Sequence, residues 1–483
     1  MTEASSANLI GGAWQGTSGL TRFETRDPAT GERLEGYGVS TTADVDAAVD
    51  AARLAFPTWR REPAPARGRL LHRVAQELEA VKDELARTMT LEMGKVLTES
   101  LGEVDATIAS CRFMAGEGLR SLGEVLPSAS ANRTIMTVRE PVGVVACITP
   151  WNFPIALAAY KIFAALVSGN CVVWKPAPNI SGSALLFTQA LVRAGAPAGV
   201  VNLLSGGEID AGRRLSTHPG VDAVAFTGST AVGIEIAEAC ARTLTPVSLE
   251  LGGKNAIIVL EDADLTLAAN GIMQSAFATS GQRCTAASRV IVQRSVREPL
   301  LAELLRRTER LKLGHGTDAA VHLGPLATPA QLDRVASLVT AAVQAGAEVL
   351  SGGSRAELAE YPNGSFYQPT FLGGVRATDA IARTEVFGPV VAVIDVDDYE
   401  QAVAANNSTD YGLSSSIYTQ SLHYAHRAAT DLHSGVVYVN SGTSAAESGV
   451  PFGGMRLSGN GHREVSTHAF DVMTELKSVY MSF

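Results

Sequence analysis

The sequence predicts a soluble α/β protein in which doubly wound parallel sheets form two large lobes. Three observations carry that expectation. The chain has 483 residues, more than one hydrophobic core usually supports. Beyond Pro141 short apolar strands alternate with helical segments, as parallel βαβ units require. Its 46 glycines supply the tight turns and close backbone approaches of such a fold.

Along residues 64–94, Leu71, Val74, Leu78, Val81 and Leu85 recur at steps of three and four. That spacing predicts one apolar face on one long helix, stopped near Gly94. Residues 123–138, "GEVLPSASANRTIMTV", are polar, β-prone and helix-poor, and the C-terminal "DVMTELKSVYMSF" is also strand-like. These two outlying segments fit a paired arm used between subunits, and equally a plain edge hairpin. The main alternation runs between them. "VGVVACI" reads as a strand, 155–167 as a helix, "CVVWK" as a strand and 181–194 as a helix. "VVNLLSG", "VDAVAFTGS" with a helix behind it, and "PVSLELGG" continue the series. A second series over 254–439 contains "NAIIVL", "RVIVQ", "GPVVAVI" and "GVVYVN". Sheets of this kind bind ligands beyond the carboxyl ends of their strands.

Composition narrows the function classes. Hydrophobic residues make up 46% and charged residues 18%, ordinary for a globular enzyme. A formal charge of −10 leaves no electrostatic footprint for nucleic acid or an anionic membrane, so a small-molecule partner is expected. The 5 cysteines are odd in number, widely spaced and without a CxxC pair, which points to a reducing compartment. Residues 1–14 show no basic segment ahead of an apolar one, and no uncharged run reaches the ~20 residues of a membrane span. The expectation is a cytoplasmic protein.

Five short stretches carry candidate chemistry. "AFTGSTAVG" places Gly228 and Ser229 between a strand and a helix, where backbone N–H groups meet a pyrophosphate or simply form a turn. "WKPAP" puts Lys175 at a strand's carboxyl end, as a ligand for ribose or phosphate or as a solvated loop lysine. In "ITPWNFP", Asn152 offers an amide to a developing oxyanion, or closes an Asx-type turn. Glu250 of "LELGGKN" is either a desolvated general base or a salt-bridged carboxylate. Cys284 of "FATSGQRCTAASRVIV" is a candidate nucleophile whose thiolate Arg283 would favour, against the plain alternative of a small buried residue. Neither an HExxH nor a clustered His/Cys set suggests a metal.

Together these stretches resemble the aldehyde dehydrogenase superfamily over almost the whole chain. "LELGGKN" is similar to the family's glutamate motif and "FATSGQRCTAAS" to its cysteine motif, while "TPWNFP", "KPAP", "FTGS", "EVFGPV", "YGLSSSIYT" and "PFGGMRLSG" follow the family's order. The resemblance implies a Rossmann-type cofactor domain over 1–122 and 139–248, an α/β catalytic domain over 249–445, and a small β oligomerisation arm from 123–138 and 460–483. It implies that Cys284 attacks an aldehyde, that Asn152 and the Cys284 N–H hold the oxyanion of the thiohemiacetal, that hydride passes to nicotinamide, and that Glu250 activates the water that hydrolyses the thioester. It places Trp151, Lys175, Pro178, Gly228, Ser229, Glu385 and Phe387 around the cofactor, with no metal. NAD-preferring relatives often carry Glu where this chain has Pro178, so loss of that carboxylate implies that NADP is at least tolerated beside NAD.

"RFMAGEGLRSLGEVLPS", "SGQRCTAASR" and "PFGGMRLSGNGHRE" look most like bacterial semialdehyde dehydrogenases, particularly those for 2-oxoglutarate semialdehyde. Arg112 and Arg283 become candidates to grip a distal carboxylate, with Tyr160 lining the substrate's path. An aromatic or medium-chain aliphatic aldehyde is the rival, with Trp151, Phe153 and Tyr160 as an apolar funnel. "NSGTSAAESGV" offers no Arg or Lys, which disfavours a phosphorylated substrate. A CoA-acylating relative usually lacks the general base, and a catalytically silent one would have lost Cys284 or Glu250. The resemblance also implies a homo-oligomer, dimer or tetramer.

Overall fold

A computed structural model of the protein describes residues 7–120, 123–206 and 209–483. The remaining parts of the expected 1–122 and 139–248 segments lie outside the described residues. Two seven-stranded sheets and a three-stranded sheet organise the chain.

The first large sheet runs Val247–Glu250, Ala223–Thr227, Val144–Ile148, Cys171–Lys175, Val201–Leu203, Ala7–Ile10 and Ala13–Gly16. The strands expected from the alternating pattern are parallel, and an N-terminal hairpin adds an antiparallel edge. Winding reverses between Val144–Ile148 and Ala223–Thr227, so the loops beyond their carboxyl ends diverge and leave a crevice.

The second sheet runs Glu348–Ser351, Thr370–Gly373, Val390–Val396, Ala287–Gln293, Asn255–Val259, Ser414–Tyr418 and Val436–Val439. Only the Glu348–Ser351 edge is antiparallel. Ala256 and Ile258 enter one core cluster and Ile257 and Val259 the other. That period of two means both faces are covered, which is why the strand is apolar throughout. Glu250 ends a strand of the first sheet and Asn255 begins one of the second, so the glycine-bearing link "LGGK" joins the lobes.

The expected single helix over 64–94 is two helices, Ala64–Ala80 and Lys82–Met93. Val81 leaves the helical region at φ −110° and ψ 13°, while the stripe of Leu71, Val74, Leu78 and Leu85 stays buried across the bend. Periodicity registers the stripe and is blind to the bend. Gly94 closes the second helix at φ 89°, a left-handed conformation that glycine adopts without strain.

Arg133–Pro141 pairs along its length with Thr474–Ser482, and Val125–Leu126 adds a short third strand. Phe470, Val472 and Met473, just before that last strand, are buried in the first lobe's core. Among the described residues no helix is long and apolar enough to cross a membrane.

Candidate active site

The crevice is built from loops that leave the two sheets. The loop 149–154 follows Val144–Ile148 and carries Trp151 and Asn152; Gly228 and Ser229 follow Ala223–Thr227. Ser229 caps the helix Thr230–Ala241 with extended backbone, φ −71° and ψ 147°, so the first-turn N–H groups of a 12-residue helix face outward from the strand end. Trp151, Asn152, Gly228, Ser229 and Cys284 line one cavity of about 310 Å³, closed on the far side by Glu385 and Phe387. Phe387 meets Trp151 edge to face at 5.5 Å between ring centroids.

Cys284 is held by a strained loop. Thr279 and Ser280 occupy the left-handed region at φ 54° and 55°, followed by Gly281 at φ 68°. Non-glycine residues pay about 1–3 kcal/mol each for this backbone, so the surroundings must over-determine it. They do: Glu99 Oε1 accepts from the Thr279 N–H at 2.8 Å, Ser280 Oγ donates to the Gly324 carbonyl at 2.7 Å, and the buried Gln282 side chain accepts from Ala327 N at 2.9 Å. Asn255 Nδ2 donates to the Cys284 carbonyl at 2.7 Å, tying the loop to the junction between the lobes.

The half-buried Cys284 thiol is pushed up to about 12, first by burial and then by the Glu250 and Glu385 carboxylates; the backbone N–H groups of Thr285 and Cys284 act the other way. Arg283 does not favour the thiolate as its position in the sequence suggests. Its Nε donates to Thr279 Oγ1 at 3.0 Å, its terminal nitrogen faces Glu99 at 3.4 Å, and the group lies over the Phe153 ring. The part-buried Glu99 carboxylate draws the guanidinium to its own side of the loop.

Glu250 is buried beside this cavity, and neither carboxylate oxygen has a hydrogen-bond partner. Burial raises its pKa well above the usual carboxylate range, and Glu464 adds to the rise against Lys161 and Arg463. The salt-bridged alternative for this residue does not hold. Asn152 is also buried, and its Nδ2 donates to the Gln282 carbonyl at 3.1 Å. An amide nitrogen has two hydrogens, so one remains for a ligand.

A free cysteine thiol, an amide donor and an unpaired buried carboxylate thus lie at one crevice, and the model of the aldehyde dehydrogenase family matches residues 14–479. The chain belongs to the aldehyde dehydrogenase family. It is 39% identical over 475 residues to the alpha-ketoglutaric semialdehyde dehydrogenase of Bacillus subtilis (strain 168), covering 98% of this chain and 97% of that one. It is 39% identical to the phenylacetaldehyde dehydrogenase of Pseudomonas fluorescens, over 98% of this chain and 95% of the other. The solved structure of betaine aldehyde dehydrogenase from Staphylococcus aureus in complex with NAD+ superposes with a TM-score of 0.97 at 31% identity, covering 99% and 95% of the two chains.

In this aldehyde dehydrogenase Lys175 lines a second cavity of about 490 Å³ with Ile148, Gly212, Phe226 and Ile236. Burial pushes its ammonium down to about 8. Phe226 lines this cavity while Thr227, Gly228 and Ser229 line the one at Cys284, so a single strand end connects the two. Pro178 is exposed at the start of the short turn Pro178–Ile180. Glu385 accepts from the Gly253 N–H at 3.0 Å, and burial raises its pKa.

Arg112 is not brought to the Cys284 cavity. It stands on the outer face of the helix Leu97–Glu117, its side chain 54% exposed and paired with Glu79. Half-buried Tyr160 lies on the helix Ala156–Ser168; burial raises its hydroxyl pKa, followed by Glu103, Glu464 and Cys284, so it is within electrostatic reach of the thiol. Sequence reasoning missed the pair next to Glu250: Lys161 Nζ donates to Thr227 Oγ1 at 2.6 Å and to Glu464. A signal for it exists in the lone charge of "ALAAYKIFAALVS", since an apolar helix buries a lysine only with a partner. Nothing in the sequence marks Glu464. Among the described residues no group of three or more His, Cys, Asp or Glu is placed to hold a metal ion.

Proposed function

We propose that this aldehyde dehydrogenase oxidises a semialdehyde bearing a distal carboxylate to the corresponding acid, with Cys284 as nucleophile and with NAD or NADP. The observation that carries the reading is the buried carboxylate of Glu250, without a partner of its own and close enough to Cys284 to raise its thiol. Cys284 Sγ adds to the aldehyde carbon as its proton is released to solvent water, which leaves the Glu250 carboxylate free for the later hydrolysis. The second Asn152 Nδ2 hydrogen and the Cys284 N–H hold the oxyanion. A dinucleotide held in this crevice would supply the two-electron acceptor that the oxidation to a thioester needs. Glu250 then takes a proton from water, the hydroxyl adds to the thioester carbonyl, and the acid leaves as the Cys284 thiolate is restored.

The residues fit such a cofactor. Ser229 offers helix-terminal N–H groups to the pyrophosphate, Lys175 a desolvated ammonium to the adenosine ribose, and Glu385 a carboxylate to the nicotinamide ribose, with Trp151 and Phe387 as apolar walls. Pro178 presents no carboxylate to a ribose 2′-phosphate, which supports tolerance of NADP.

The semialdehyde reading draws on the Bacillus relative and on Arg283, whose 3.4 Å contact with Glu99 is loose enough to be exchanged for a substrate carboxylate. Arg112 plays no part in it. The aromatic reading draws on the phenylacetaldehyde relative and on Trp151, Phe153 and Tyr160. Reduced-nicotinamide formation with 2-oxoglutarate semialdehyde, succinate semialdehyde, benzaldehyde and hexanal, each with NAD and with NADP, tests the choice. Preference for benzaldehyde or hexanal refutes the carboxylate anchor. We also assign the enzyme to the cytoplasm, which its five free cysteines support, as a homo-oligomer through the arm, where Leu476, Tyr480 and Phe483 are exposed. A monomer in light scattering at micromolar concentration overturns that assignment.

A further inference from the structure

We infer that Lys95 and Glu103 form a buried clamp that positions Asn152 for its part in the reaction. Both side chains are 0% exposed and pair with each other. Burying two charges costs several kcal/mol per ion before their attraction offsets it, so their remaining hydrogen bonds decide what the pair is for. Among the described residues, those bonds go to one short segment. Lys95 Nζ donates to the Asn152 carbonyl at 3.0 Å and lies 4.4 Å from the centre of the Phe153 ring. Glu103 Oε1 accepts from the N–H groups of Ile155 and Ala156 at 2.9 and 3.0 Å.

Ala156 opens the helix Ala156–Ser168, which has no side-chain cap of its own at Ile155. Glu103, reaching over from the helix Leu97–Glu117, supplies it, and a carboxylate is favourable at that helix end. The segment from Asn152 to Ala156 is therefore held at its first carbonyl by a cation and at its last two amides by the partner anion. On the other side, the Asn152 amide is fixed by the Gln282 carbonyl of the Cys284 loop. An oxyanion donor must be held to within about 0.5 Å, and a free loop does not achieve that. Lys95 and Glu103 touch neither the cavity at Cys284 nor that at Lys175; they are positioning residues.

The inference rests on the oxyanion role proposed for Asn152, and the test separates the two. The cofactor-free protein is mixed rapidly with p-nitrophenyl acetate, and the burst of p-nitrophenolate reports acylation of Cys284 alone: the thiolate displaces the phenolate and leaves an acetyl thioester. Asn152→Ala is expected to slow the burst about 100-fold, and Lys95→Met about 10-fold. Combined, they are expected to match Asn152→Ala alone within about twofold, because Lys95 acts only through that amide. Melting curves are recorded in parallel; if Lys95→Met does not fold, Glu103→Gln replaces it in the same cycle, since it retains a carbonyl acceptor for the two helix amides. Multiplicative effects, or a wild-type burst in the clamp variant, overturn the clamp. A wild-type burst in Asn152→Ala overturns the oxyanion role and the clamp with it.

Discussion

Replacing Glu250 by Gln should leave acylation intact and stop turnover. The substitution keeps the shape of the side chain and removes its basicity. General-base assistance is worth ~10²–10⁴-fold, and the surroundings offer no substitute base: Glu464 is engaged by Lys161, and Glu385 by the Gly253 N–H. We therefore expect kcat to fall about 10³-fold, about 4 kcal/mol on hydrolysis of the thioester at ~1.4 kcal/mol per tenfold. Stopped-flow absorbance of reduced nicotinamide is the assay. A single burst of about one equivalent per active site, followed by near silence, is the expected trace. Steady turnover within threefold of the unsubstituted enzyme refutes the general-base role, and loss of the burst refutes the division of labour between Cys284 and Glu250. Stability provides an independent check. Folded Glu250 has a pKa above the ordinary 4.5, so between those values the native state binds more protons than the unfolded one and stability falls as pH rises. Gln carries no such penalty. The variant should melt at or above the parent at pH about 8, with the gap closing as pH falls toward the ordinary carboxylate range.

Other perturbations probe separate parts of the site. With the Cys284 thiol pushed up to about 12, alkylation of the cofactor-free protein by iodoacetamide should accelerate ~10-fold per pH unit through neutral and mildly alkaline pH; a plateau there contradicts the burial argument. Pro178→Glu should weaken NADP binding about tenfold or more while leaving NAD nearly unchanged, read by quenching of intrinsic fluorescence, because a new carboxylate repels a 2′-phosphate. Equal loss for both dinucleotides refutes the specificity argument. Gly281→Ala should destabilise the protein by about 2 kcal/mol or more and depress activity, since the residue has φ +68° and an added Cβ would lie 2.2 Å from the Gly388 carbonyl oxygen. An unchanged denaturation midpoint shows that the loop relaxes freely.

Much of the fold was legible because burial on both faces of a parallel sheet leaves continuous apolar strands, and the runs at 144–148, 171–175, 223–227, 255–259 and 287–293 are of that kind. The bend at Val81 and the N-terminal hairpin were not legible: one preserves the helical stripe across a break, and the other is a short edge whose pairing depends on a strand nearly two hundred residues away. Cys284 and Asn152 in loops and Glu250 at a strand end stood out for their chemistry, and the folded chain brings them to one crevice.

The sequence by itself determined the residue types available for chemistry, the alternation of strands and helices, and the absence of a carboxylate at Pro178, because each of these is local. Tertiary structure decided which charges face one another. Arg112 and Arg283 are equally plausible anchors on paper, yet Glu79 holds the first at the surface and Glu99 holds the second beside its own loop. The Lys95–Glu103 pair and the Lys161–Glu464 pair matter because each is buried, and burial exists only once distant segments have packed. Electrostatic strength depends on separation and on exclusion of water. Neither quantity is a property of a residue's place along the chain.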